Sequence, residues 1–224
     1  MSDEILDCVE AGARDDVRAS VVWLHGLGAD GHDFEAIVPE LHLPRDAGVR
    51  FVFPHAPVRP ITINGGMSMR GWYDLYGLGP GFPQDADGIA ESRNRVEALL
   101  AREQERGVPA GRIVLAGFSQ GGAVALHTGL RYPQRLAGLL ALSTYVPLHD
   151  TLDAERSEAN ADLPIFMAHG RMDPVLPFEM GSRSHELLAN LGYTVEWHEY
   201  PMQHQVCIEE IQAVATWLKR VLDL

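Results

Sequence analysis

Gly117-Phe118-Ser119-Gln120-Gly121-Gly122 fits G-x-S-x-G, a spacing that can present a serine hydroxyl as a nucleophile. Its surroundings suit that use. Arg112 to Ala116 is a short apolar, β-leaning run, and Ala123 to His127 reads as a buried helix. A strand, a sharp turn and a helix push the serine out at the edge of a sheet. The turn strains the serine backbone, and glycines on either side let strand and helix pass closely. A serine hydroxyl does not ionise at neutral pH, so it needs a base, and the base needs a group that orients it.

In a strand-turn-helix setting the partners come in the order Ser, Asp or Glu, His, each just beyond the C-terminal end of a strand. Asp173 follows the apolar run that ends at Ala168, within His169-Gly170-Arg171-Met172-Asp173-Pro174-Val175. Asp150 precedes a polar loop, and Asp162 enters a strand at the wrong end. Of the 10 histidines, His204 alone fits both the order and the place, between the last strand and the last helix. His25, His32, His42, His55 and His149 precede the aspartate, while His127, His185 and His198 lie within helices or a strand. The oxyanion formed on acyl attack needs N–H donors already aimed at it. Gln120, next after the serine, should supply one, and Leu27 in the loop His25-Gly26-Leu27-Gly28 should supply the other.

The elements that must hold these groups alternate along the chain. Strands are predicted over 5–9, 19–24, 49–53, 112–116, 136–142, 162–168 and 193–200, and helices over 33–41, 85–106, 178–191 and 208–222. Nearly all-apolar strands between helices indicate an α/β fold with a mostly parallel sheet covered on both faces. With 224 residues and neither repeat nor linker, residues 1–224 read as one domain. Segment 57–84 reads as a Gly/Pro-rich loop, and 149–160 as a polar one. The first is so rich in apolar residues that Met67, Met69, Trp72, Leu75 and Leu78 are candidates to flank an acyl group, with Val175 beside the aspartate.

Composition narrows the function further. A formal net charge of -13 disfavours nucleic acid and anionic membrane as partners. No stretch is apolar enough for stable membrane insertion. The acidic start carries no secretory pattern, and 2 distant cysteines suggest neither a disulfide framework nor a zinc site, so a cytoplasmic setting is expected. Gly26, Gly28 and Gly31 also spell G-x-G-x-x-G, but the next strand ends in Phe53-Pro54-His55 and not in the acidic residue a dinucleotide ribose requires. The expected substrate is a small-molecule ester, with no metal and no cofactor.

These residues resemble the carboxylesterase and acyl-protein thioesterase family of small α/β-hydrolases, the phospholipase/carboxylesterase family, over nearly the whole chain. The likeness rests on His25 to Gly31, with Ala29 where the family has Asp, on Phe53-Pro54-His55-Ala56-Pro57 and on Trp72-Tyr73-Asp74. It rests equally on Gly117 to Gly122 and His169 to Val175; at Gln203 the family has a glycine before its histidine. The resemblance implies Ser119, Asp173 and His204 as a catalytic triad, Leu27 and Gln120 as oxyanion donors, little or no lid, and homodimers among relatives. It points to a serine carboxylesterase working through an acyl-enzyme. Lysophospholipase and acyl-protein thioesterase are the alternative activities, and a non-catalytic binding protein is the reading from another class.

Overall fold

The computed structural model describes residues 5–44, 46–79 and 82–224. Nine strands form along these: β1 Cys8–Gly12, β2 Ala19–Leu24, β3 Val49–Pro54, β4 Val58–Ile61, β5 Met67–Arg70, β6 Ile113–Phe118, β7 Gly138–Leu142, β8 Ile165–Gly170 and β9 Val195–Tyr200. The α-helices are α1 Ile37–Glu40, α2 Ala86–Glu105, α3 Gln120–Arg131, α4 His149–Glu155, α5 Phe178–Asn190 and α6 Ile208–Val221. Seven strands make one sheet in the order β1-β3-β2-β6-β7-β8-β9. Every pairing in it is parallel except β1 against β3.

Alternation along the inner strands builds two cores. Val22, Leu24, Ile113 and Leu115 face α2 and α3, packing on Val96, Leu99, Leu126 and their neighbours. Val21, Trp23, Val114 and Ala116 face the other way, onto Ile37 of α1 and Val214, Trp217 and Leu218 of α6. All six residues of β2, β3 and β8 are buried, which is why their sequences carry no polar face.

Four expectations shift. The helix foreseen over 33–41 is the single turn α1. A helix begun at Asp33 would need an N–H at position 39 to bond back to Glu35, and Pro39 has none. The first strand runs from Cys8 to Gly12, where it pairs with β3 at the sheet edge. Segment 149–160 contains α4, and its one buried residue, Leu152, is too little to show a period in the sequence. Within segment 57–84, β4 and β5 form a small antiparallel hairpin turned at Gly65 and Gly66, both at positive φ. Among the described residues no helix is long and apolar enough to cross a membrane.

Candidate active site

Ser119 joins the central strand β6 to α3 with φ 54° and ψ −122°, a backbone conformation that a non-glycine residue holds only under constraint. Its N–H donates to the Leu142 carbonyl at 2.9 Å, and its own carbonyl accepts from Thr144 Oγ1 at 2.7 Å. The flanking glycines are there for space. A Cβ on Gly117 would overlap the Gly121 backbone, and one on Gly121 would overlap the Leu24 and His25 carbonyl oxygens.

The three distant residues meet. Ser119 Oγ lies 2.8 Å from His204 Nε2, and His204 Nδ1 lies 2.6 Å from Asp173 Oδ2. Asp173 is a carboxylate acceptor, so Nδ1 carries the imidazole proton and Nε2 turns its lone pair to the serine O–H. The His204 ring rests on Phe118 at a centroid distance of 4.8 Å. Asp173 Oδ1 accepts the N–H groups of Val175 at 2.8 Å and Leu176 at 2.9 Å, so the turn after β8 aims its other oxygen at the histidine.

A second histidine stands behind that aspartate. Fully buried His169 places Nε2 2.9 Å from the Leu176 carbonyl and 3.5 Å from Asp173 Oδ2. Burial holds its pKa below the usual value, so the ring stays neutral and donates through Nε2. Its Nδ1 has no partner and lies against Gly181 of α5, where any Cβ would strike the ring. The sequence offered one signal for this residue, a histidine and glycine closing a strand four positions before the aspartate.

The loop carrying Leu27 is fixed by buried His25. Its Nδ1–H donates to the Gly26 carbonyl at 2.7 Å, and Nε2 accepts the Ala56 N–H at 3.0 Å. Burial lowers its pKa to about 4, which keeps the neutral form that both bonds require. Gly28, at φ +80°, donates to the Arg70 carbonyl at 2.8 Å. Neither the Leu27 nor the Gln120 N–H donates to another atom among the described residues. Gln120 also ties the elbow to the segment after β5, its side chain accepting from Trp72 N at 2.8 Å and donating to the Tyr73 carbonyl at 2.7 Å.

The residues expected to flank substrate divide. Leu75 and Leu78 line a cavity of ≈ 300 Å³ between residues 73–79 and 82–84 on one side and α5 on the other. Met69 lies against the Gly28 turn, and Met67 and Val175 are exposed. Trp72 corrects the expectation. It is 0% exposed, and its indole N–H donates to the His25 carbonyl at 2.9 Å, so it braces the Leu27 loop and meets no open space. Among the described residues no group of three His, Cys, Asp or Glu is placed to hold a metal.

Residues 8–222 match the family model described as phospholipase/carboxylesterase. The chain is 40% identical over 209 residues to acyl-protein thioesterase 1 of Neurospora crassa, covering 89% of this chain and 85% of that protein. Among solved structures, SOBER1 of Arabidopsis thaliana superimposes with a TM-score of 0.87 at 32% identity, covering 92% of this chain and 100% of the other. Acyl-protein thioesterase 2 of Zea mays gives 0.85 at 29% identity, covering 96% and 99%.

Proposed function

Because the chain belongs to the phospholipase/carboxylesterase family of α/β-hydrolases, we propose that Ser119 is its nucleophile, His204 the general base and Asp173 the orienting carboxylate. The chain is a serine hydrolase of carboxylic esters. The observation that carries the residue roles is the unbroken run from Ser119 Oγ to His204 at 2.8 Å and on to Asp173 at 2.6 Å.

Attack of Ser119 Oγ on the ester carbonyl passes the hydroxyl proton to His204 Nε2. The imidazolium formed is stabilised by Asp173 across Nδ1. Negative charge gathers on the carbonyl oxygen, and the unengaged N–H groups of Leu27 and Gln120 are the donors for it. His204 returns the proton to the departing alcohol and leaves an acyl-Ser119 ester. Water, deprotonated by the same imidazole, then releases the acid.

The acyl group enters the cavity beside the elbow. Its inner wall, Tyr73 and Tyr145, adjoins the atoms that grip Gln120 and Ser119. Met67, Met69 and Val175 are not among the residues that line this cavity. Relatives named acyl-protein thioesterase favour a thioester as a second substrate, with a thiolate in place of the alcohol. A cytoplasmic setting agrees with the 2 free cysteines. A homodimer that covered exposed Met67, Phe82, Met172 and Val175 would show as a doubled mass by light scattering.

A fluorophosphonate probe tests the assignment. It should label the wild type and not Ser119→Ala, and Ser119→Ala or His204→Ala should lower kcat by about 10⁴-fold or more. An unlabelled wild type would make the chain a binding protein. Esters and thioesters of matched acyl length, compared by kcat/KM, rank the two substrate classes.

A further inference from the structure

The cavity wall carries hydrogen-bond donors that the protein leaves unused. On α5 the lining residues Met180, Arg183, Ser184 and Leu187 share one helix face, by their spacing of three, four and seven. Arg183 thus stands in the stripe turned to the cavity, where an apolar side chain would be expected. Elsewhere the guanidinium groups of Arg131, Arg156 and Arg171 sit on carboxylates. Arg183 is exposed where it lines the cavity, and among the described residues no carboxylate lies within salt-bridge distance of it and no hydrogen bond engages it.

The opposite wall repeats the imbalance. The hydroxyls of Tyr73 and Tyr145 lie 2.9 Å apart. Two O–H protons share that one contact, so one proton finds no acceptor among the described residues; Tyr73 is 1% exposed and Tyr145 partly exposed. Neighbouring polar groups are already engaged. Ser184 Oγ donates to the Met180 carbonyl and accepts from Val146 N. Asp74 accepts the N–H and hydroxyl of Thr62 through its two oxygens. Asp85 caps α2 through Gly88 and holds Asp74 N.

We propose that the cavity takes an acyl group whose far end is a carboxylate, with Arg183 as its recognition residue and the tyrosine pair as the second donor. The proposal rests on the reading that Ser119 is acylated and that the acyl chain enters this cavity. A plain hydrocarbon chain filling the space would bring no acceptor either to the spare hydroxyl proton or to the exposed guanidinium beside it. A terminal carboxylate offers acceptors to both, and its bond to the guanidinium is charge-assisted. The substrates so defined are monoesters or monothioesters of dicarboxylic acids.

The test is kcat/KM for two nitrophenyl ester series of rising acyl length, one ending in methyl and the other in carboxylate. At one length the carboxylate series should exceed its methyl partner by about 10-fold or more. At that length Arg183→Leu should lower the carboxylate-to-methyl ratio by about 10-fold, while Arg183→Lys, which keeps the charge, should retain part of it. The ratio is measured within each variant, so a general loss of folded protein cancels. Methyl-ended esters favoured at every length, or a ratio unmoved by Arg183→Leu, would overturn the proposal and leave the hydrolase reading intact. No turnover of either series and no fluorophosphonate labelling would overturn both.

Discussion

At the scale of single residues, the proposed site depends on neutral histidines behind His204. His169 touches no reacting atom, yet its Nε2–H holds the Leu176 carbonyl, and Leu176 N in turn holds Asp173. His169→Ala should therefore lower kcat about 10-fold with little change in KM, and the acid limb of the pH profile should move to lower pH, because a loosened Asp173 stabilises the His204 imidazolium less. His169→Gln, whose amide nitrogen can reach the Nε2 position, should restore both; failure to rescue would reduce His169 to filler. His25 and His127 carry the same logic into stability. Their pKa values are lowered by burial to about 4 and about 3. The unfolded chain then binds more protons than the fold below about pH 6.5, so stability falls as pH drops from there toward 4, by about 1.4 kcal/mol per pH unit for each group. A melting temperature that stays level between pH 6.5 and 4.5 would count against it. Ser119, Asp173 and His204, which the fold brings within hydrogen-bond reach, could be singled out in the sequence because each closes a strand in a recognisable order. His169 could not, because a buried positioning residue has no order to obey.

Elements add constraints that no single residue shows. The start of α3 approaches β2 so closely that Gly121→Ala would drive a methyl into the Leu24 and His25 carbonyls, displacing the loop that carries Leu27. This change should cost roughly 1–3 kcal/mol of stability, read by thermal melting, and should slow acylation beyond what the lost stability explains. In α6, Glu210 is wholly buried, and neither carboxylate oxygen has a hydrogen-bond partner among the described residues. Burial raises its pKa to about 8. Folding thus takes up a proton between about pH 4.5 and 8, and this contribution to stability declines as pH rises through that window. Glu210→Gln should raise the melting temperature at pH 8 and give a smaller gain at pH 5. Equal shifts at both would refute the buried acid. The long helices were readable from their 3.6-residue period. The β4–β5 hairpin was hidden, since two four-residue strands, one holding Pro60, leave too short an alternation to see.

For the whole molecule, the order β1-β3-β2-β6-β7-β8-β9 decides which chain segments meet. The apolar runs foretold a parallel sheet covered on both faces, and the architecture agrees. The run order alone could not say which strand lies at the centre or that β1 turns antiparallel, because alternation records burial and not neighbours. Ser119 follows β6, the middle strand, whose residues are almost all buried. His204 follows β9, an outermost strand that is only partly buried. The proposed catalytic pair is thus moored to the most and the least secure parts of the same sheet. Rim strands peel away at lower cost than central ones. Moderate guanidinium should therefore silence turnover while, in a Trp197→Phe variant that removes the signal of β9 itself, the fluorescence of the buried tryptophans stays native. Deuterium should enter the 195–204 backbone amides well ahead of those in 113–118, and dilution should bring activity back without a full refolding phase.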